Sequence, residues 1–401
     1  MPPMPSVQHT AYDLPEGRYN GPLTLVHRGT PMGELLRRYW HPVGLPNDAT
    51  ATPRKIRVLG EDLILFRDGT GRAGLLYPRC AHRGADLCYG RVEAQGIRCC
   101  YHGWLFAPDG RCLEQPCEPN GGRALERLCQ PWYPLEELYG LLFAYLGPIA
   151  KKPVLPRYSV LEDLAPGECI EADDSSIGSG GAAIVPCNWL QHFENVMDPF
   201  HVPILHGSFS GPQFTQLMAQ LPSVSFEETA HGVMSTQIRT LADGRVFRRV
   251  TETVLPTLRV VPSPRVGQFQ SAESIGWVLP IDDTHFRIYV AGRVTESGSL
   301  RRMRSTFNGK SWFDLTAEEH QRFPGDFEAQ VGQGAITLHS EEHLVTSDRG
   351  VVMLRRLLEK EMRRVAENED PLGTLAAGEP RVVQLKAGNF LEPADGTWGR
   401  T

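Results

Sequence analysis

A chain of 401 residues with 41% apolar and 22% charged side chains is long enough for two domains and is not composed like a disordered segment. Its formal net charge of −6 speaks against broad attraction to nucleic acid or to an anionic membrane. Nine cysteines, an odd number without the dense spacing of a secreted disulfide scaffold, and a longest apolar stretch (Leu138–Leu146) too short to span a bilayer point to a cytoplasmic protein whose cysteines are thiols or metal ligands.

Met1–Thr10 holds three prolines and no apolar core, so it does not read as a signal peptide. Residues 1–40 read as an N-terminal arm ending in a short helix over Met32–Tyr39, with Met32, Leu35, Leu36 and Tyr39 at helical spacing and Pro42 and Pro46 stopping it. From 41 to 150 the pattern is short strands and tight turns. Ile56–Leu59 and Leu63–Phe66 flank Gly60-Glu61-Asp62 as a hairpin, and Gly96–Phe106 runs into the Pro108-Asp109-Gly110 turn. Leu141–Leu146 closes this unit, and Gly147, Pro148, Pro153 and Pro156 make a linker.

Residues 151–401 form the second unit. A Gly/Ser stretch (Ser175–Gly181) precedes a helical segment around Trp189–His206 and a strand-rich region over about Val224–Val294. The end predicts a helix over Asp348–Glu367, with Val351, Val352, Leu354, Leu358 and Met362 on one side and Thr346 or Ser347 as its cap. No internal repeat is visible. The expected fold class is α+β: a small all-β domain followed by a larger α+β domain.

Two mixed pairs carry the first chemical signal. Cys80-Ala81-His82 is followed after sixteen residues by Cys99-Cys100-Tyr101-His102. Two thiolates on one iron and two imidazoles on the other describe a [2Fe–2S] centre of raised reduction potential, because imidazole is neutral where thiolate is charged. Gly84 and Gly103 follow the pairs and let backbone N–H groups approach the sulfurs. The competing reading is a Cys2His2 zinc site, but structural zinc spacings put the cysteines in one close pair and the histidines in another.

The second signal is Asn195-Val196-Met197-Asp198-Pro199-Phe200-His201, with His206 five residues further on. Two histidines and a carboxylate on one face of Fe(II) leave adjacent positions open for O2 and substrate. On a straight helix the two histidines would diverge by about 140°, and Pro203 between them is expected to kink it. Asp198, three residues before His201, is placed to accept a hydrogen bond from the histidine nitrogen that does not face the metal. The carboxylate ligand must come from later in the chain, where Asp282, Asp283, Asp314, Asp326 and Glu328 are candidates. Asp282-Asp283 reads as a turn between strands. By position alone Asp326, behind Phe323-Pro324-Gly325, reads as a helix start.

Cys80-Ala81-His82-Arg83-Gly84-Ala85-Asp86-Leu87 and Cys99-Cys100-Tyr101-His102-Gly103-Trp104 resemble the cluster loops of Rieske non-haem iron ring-hydroxylating oxygenases, with Cys100 where many members have proline. The segments Gly29–Pro42, Asn188–Gln191, Asn195–His206, Asp326–Gly334 and Ser340–Asp348 are similar to the same family's oxygenase (alpha) subunits, in the phthalate-dioxygenase-like branch. The resemblance implies Cys80, His82, Cys99 and His102 as ligands of a [2Fe–2S] Rieske cluster. It implies His201, His206 and Asp326 as ligands of a mononuclear Fe(II). Asp198, with Asn195 beside it, would link that iron to a cluster histidine of a neighbouring subunit. It further implies a helix-grip catalytic domain and a homotrimer or hexamer. Electrons would come from an NAD(P)H-dependent reductase, with or without a ferredoxin, and O2 would hydroxylate or O-demethylate an aromatic acid. The alternative is a Rieske electron-transfer protein without a working second iron.

Overall fold

The computed structural model describes residues 11–119, 122, 125–174, 184–209, 214–263, 269–302, 306–307, 310–311, 314–376, 378 and 381–393. The expectations for Met1–Thr10 and for Ser175–Gly181 lie outside the described residues.

The arm forms helix α1 (Pro31–Leu36), with Pro31 in its first turn and the Thr30 hydroxyl accepting from the Gly33 N–H. It stops three residues short of the expected end. Arg38 and Tyr39 donate to carbonyls only three residues back, at Leu35 and Leu36, so the last turn tightens as the chain enters the next strand. Met32, Leu35, Leu36 and Tyr39 are all buried, as their spacing requires.

The first unit is built from three small sheets. Strands β1 (Trp40–Gly44), β2 (Arg54–Val58), β3 (Glu61–Arg67), β4 (Ala73–Leu76), β5 (Arg91–Glu93), β6 (Gly96–Arg98), β7 (Leu105–Phe106), β8 (Cys112–Glu114), β9 (Leu135–Leu138) and β10 (Leu141–Tyr145) pair as β1-β10-β9, β2-β3-β4 and β5-β6-β7-β8. The β2–β3 turn is tighter than expected. Val58 pairs with Glu61, and the two central residues, Leu59 and Gly60, both have positive φ, the geometry that matches strand twist in a two-residue hairpin.

The second unit centres on an antiparallel sheet of β11 (Cys169–Asp173), β12 (Ser223–Glu228), β13 (Gly232–Thr240), β14 (Val246–Val254), β15 (Leu258–Val260), β16 (Ser274–Asp282), β17 (His285–Val294) and β18 (Gly388–Glu392). Its order is β11-β17-β16-β15-β14-β13-β12, with β18 beside the first half of β14. Helices α2 (Trp189–Asn195), α3 (Asp326–Val331) and α4 (Arg349–Ala366) accompany it. The long helix α4 lies against β12 and β13, the helix-grip arrangement. It buries Val351, Leu354, Leu357, Leu358 and Met362, whereas Val352 is only half-buried. Its cap differs from expectation: Thr346–Asp348 wind as a tight turn that leads into the helix, so neither Thr346 nor Ser347 occupies the cap position. At Gly350 a side chain would meet the Phe226 ring at 2.3 Å and the Met197 carbonyl at 2.5 Å, so α4 closes on the sheet only because this position has no Cβ.

The two units are not separated by solvent. One apolar core runs through the arm, β1, β3, β10, α2, β16, β17 and α4, and a second, smaller core gathers Ile64, Phe66, Leu76, Leu87, Ile97, Trp104 and Phe106 around Cys80 and Cys99. At the β2–β3 tip the Leu59 and Gly60 N–H groups donate to the Pro280 and Ile281 carbonyls of β16 at 3.0 and 2.8 Å.

Candidate metal centres

The two Cys-His loops have the same backbone frame. The Cys80 N–H donates to the Ala85 carbonyl and Gly84 N–H returns to the Cys80 carbonyl, both at 2.8 Å. The Cys99 N–H donates to Trp104 at 2.8 Å and Gly103 N–H returns to Cys99 at 3.0 Å. Each frame closes on a glycine in the left-handed region, with φ of 76° at Gly84 and 74° at Gly103. Two equal loops set the four side chains facing one another. The His82 and His102 rings stand 4.6 Å apart, and His82 stacks on Trp104 at 4.4 Å. Both thiols are buried, and burial with the neighbouring Cys99 thiol pushes Cys80 up to about 11. The His102 ring nitrogen Nδ1 is buried with no hydrogen-bond partner. Paired thiols, paired imidazoles and an orphaned inward nitrogen fit a group that takes electron pairs from all four, as a Rieske cluster does. Cys100 is exposed.

Sequence reasoning missed the brace behind the first loop. The Gln130 side chain accepts from the Ala81 N–H at 2.7 Å and donates to the Tyr77 and Arg79 carbonyls at 2.8 and 2.9 Å. Gln130 sits between strands, where neither periodicity nor motif singles it out.

The second centre forms where α2 ends. Asp198 precedes Pro199, which disfavours a helical conformation there and interrupts the helical segment ahead of the kink expected at Pro203. The Asp198 carboxylate then accepts the N–H of Phe200 at 2.9 Å and of His201 at 3.3 Å, starting the next turn. Val202–Phe209 winds as a π-helix, whose i→i+5 bonding returns residues five apart to one side. His201 and His206 therefore converge, where an α-helix would have spread them. The Asp326 carboxylate comes from the first turn of α3, with Oδ1 3.6 Å from His201 Nε2 and 3.2 Å from His206 Nε2. The ligand-type atoms of His201, His206 and Asp326 all lie within 4.8 Å of one another. Burial alone would raise the Asp326 carboxyl, but His206, then His201 and His192, hold it well below the usual carboxylate range.

The surroundings fix these groups. Asn195 Nδ2 donates to Asp326 Oδ1 at 3.2 Å. His201 Nδ1 lies 2.5 Å from the Asp198 carbonyl oxygen and 3.7 Å from its carboxylate, so the backbone oxygen takes the ring hydrogen bond. Opposing burial, His201 and the two backbone N–H groups hold the half-exposed Asp198 carboxyl below its ordinary value. Gln191 Nε2 donates to the Gln330 carbonyl at 2.7 Å, and His192 Nδ1 meets Gln330 Oε1 at 3.0 Å, stitching α2 to α3. Arg355 of α4 grips Glu194 at 2.6 and 2.7 Å and Glu342 at 2.6 and 2.8 Å. Asn195 and Asp198 were signalled by their motif, whereas Gln330, Glu194 and Arg355 carry no local signal, because Gln330 and Arg355 reach α2 across more than a hundred residues of sequence. Of the other carboxylates weighed, Asp282 and Asp283 lie at the β16–β17 turn, Asp314 is exposed, and Glu328 caps the Gly325 N–H.

A sequence profile of the Rieske [2Fe-2S] domain matches residues 39–134. The chain is 49% identical over 405 residues to the phenoxybenzoate dioxygenase subunit alpha of Ectopseudomonas oleovorans, covering 98% of each. It is 36% identical over 364 residues to the tert-butanol monooxygenase / tert-amyl alcohol desaturase oxygenase subunit of Aquincola tertiaricarbonis, covering 82% of this chain and 73% of the relative. Among solved structures, the NdmA QL mutant of Pseudomonas putida CBB5 with theobromine superposes with a TM-score of 0.62 at 19% identity, over 87% of this chain and 99% of that one, a likeness of fold.

Proposed function

The chain belongs to the Rieske non-haem iron oxygenase alpha-subunit family, and from that premise we propose that its substrate is an aromatic carboxylic acid, which it hydroxylates or O-demethylates with O2. It is an oxygenase subunit that works with a separate reductase. The observation that carries the reading is the meeting of His201, His206 and Asp326 on one side of a π-turn, in the same chain as a complete pair of Cys-His loops. Near-full-length similarity to a phenoxybenzoate dioxygenase subunit supports the aromatic acid.

Cys80, His82, Cys99 and His102 would hold the Rieske cluster, and His201, His206 and Asp326 the mononuclear iron. When bound, the two groups store an electron and activate O2. The chain supplies the rest. Asn195 orients the Asp326 carboxylate, and the Asp198 carbonyl fixes the His201 ring so that Nε2 faces inward. Asp198 stays ionised and partly exposed, placed to meet a neighbouring subunit in the proposed trimer or hexamer. The reductase uses NAD(P)H, with or without an intervening ferredoxin.

The test pairs purified protein with a reductase and a panel of aromatic acids, reading O2 uptake and product mass. Uptake coupled to an acid product is expected. Coupled turnover of tertiary alcohols alone would replace the aromatic-acid reading. Iron content separates an oxygenase from a carrier: about three atoms per chain against about two.

A further inference from the structure

Directly opposed residues of an antiparallel pair share a face. On the β13–β14 ribbon, Val233, Ser235, Gln237 and Arg239 therefore lie beside Thr253, Thr251, Arg249 and Phe247. Arg259 of β15, opposite Thr253, extends the row. Phe226, opposite Ser235, touches α4 at Gly350, so this is the inner face of the grip. Such a face is ordinarily apolar; here it is polar and buried, with Arg239 only 2% exposed.

Its polar groups are not all satisfied. Both terminal nitrogens of Arg249 are engaged, by the Ser263 and Pro262 carbonyls and Asn389. Arg239 donates from Nε to the Gln220 carbonyl at 2.8 Å and rests 6.0 Å from the Phe247 ring, but Nη1 and Nη2 are buried with no hydrogen-bond partner. Ser235 Oγ, Gln237 Oε1 and Thr251 Oγ1 on the same face are likewise without one. Among the described residues no carboxylate pairs with Arg239 or Arg249. Burial lowers Arg239 only to about 10, so it stays charged at neutral pH. A buried guanidinium that keeps its charge and lacks an anion is costly on its own, and its planar fork matches the two oxygens of a carboxylate.

The position along the strand sets the length of the ligand. The Met197 carbonyl, next to Asp198, and the Phe226 ring both close on Gly350, and Phe226 is opposite Ser235, which puts the segment leading to His201 beside the Ser235 end of the face. Arg239 stands four residues further along β13, about 13 Å away. We propose that Arg239 binds the carboxylate of an elongated, two-ring aromatic acid, which lies along Gln237, Thr251 and Ser235 and presents its far ring to the metal-ligand cluster. The assignment rests on the aromatic-acid reading above and gives it a residue.

The test uses the holoenzyme with a phenoxybenzoate and the matching neutral phenoxybenzamide. Arg239→Gln is expected to reduce kcat/KM for the acid on the order of a hundredfold while leaving the amide within about threefold, with cluster absorbance and iron content as in wild type. Arg239→Lys, which keeps the charge and loses the fork, is expected to fall between and decides the matter should the glutamine variant not fold. An acid-to-amide ratio unchanged in either folded variant overturns the anchor and leaves the aromatic-acid reading standing. Wild-type enzyme that turns over the amide and rejects the acid overturns both.

Discussion

His201 and His206 share Asp326 Oδ1 as a neighbour; His201 is fixed through Nδ1 by the Asp198 carbonyl, and the buried His206 ring also lies 4.4 Å from the Phe214 ring. His206→Ala is therefore expected to remove the mononuclear iron and keep the cluster's visible spectrum; a variant that retains about three irons per chain would count against the ligand assignment. Asp198→Asn keeps the backbone carbonyl that orients His201. It should leave both metal contents intact and slow reoxidation of the reduced cluster in the presence of substrate by on the order of tenfold or more, followed in a stopped-flow trace. Turnover at the wild-type rate would remove Asp198 from the electron path. Gln130 offers a purely mechanical case. Gln130→Leu leaves one part-buried donor and two part-buried carbonyls around the first loop without their side-chain partner, for a loss of about 1 kcal/mol in denaturant unfolding and an earlier loss of cluster colour.

Among the elements, the π-turn decides whether the second centre exists. The sequence showed that something must bend between His201 and His206, because their separation does not suit an α-helix, and Pro203 offered a cause. The form of the bend was not legible, since a π-turn depends on how the segment is held by α3 and by the chain after it. The same limit explains α1 and α4. Their apolar spacing located both helices, while their ends are set by local hydrogen bonding that spacing does not encode. Strand alternation in Phe286–Val290 located β17, but the polar inner face of β13 and β14 carried no signal of its own: Ser235, Gln237 and Arg239 look like solvent positions until the sheet is closed over them. Asp326 was separable from the other acids only by resemblance, because a helix start and a ligand look alike in sequence. At the contact that presses α4 onto this region, Gly350→Ala would force a Cβ into the Met197 carbonyl. A destabilisation of about 1–3 kcal/mol is expected, together with reduced mononuclear iron, since Met197 adjoins Asp198. Unchanged stability would show that the helix shifts freely at this point.

For the whole molecule, the fold class, an all-β part followed by an α+β part, was readable from turn density and periodicity, but the way the parts cohere was not. The arm reaches the second unit through Asn188 Nδ2 donating to the Thr24 carbonyl and the Val26 N–H donating to Asp283, contacts more than 160 residues apart in sequence. A trimer of this 44.6 kDa chain is expected in solution, and analytical ultracentrifugation that returned a single chain's mass would deny Asp198 its neighbour. The two apolar cores differ greatly in reach. The larger one crosses the arm and both units, whereas the smaller encloses only the Cys80 and Cys99 loops and a few strands beneath them. Heating should therefore bleach the protein before it melts. A cluster held by the Cys80 and Cys99 loops would sit in the lesser core, which can open locally, and the far-ultraviolet dichroism, carried by the large shared one, should collapse later in a single step.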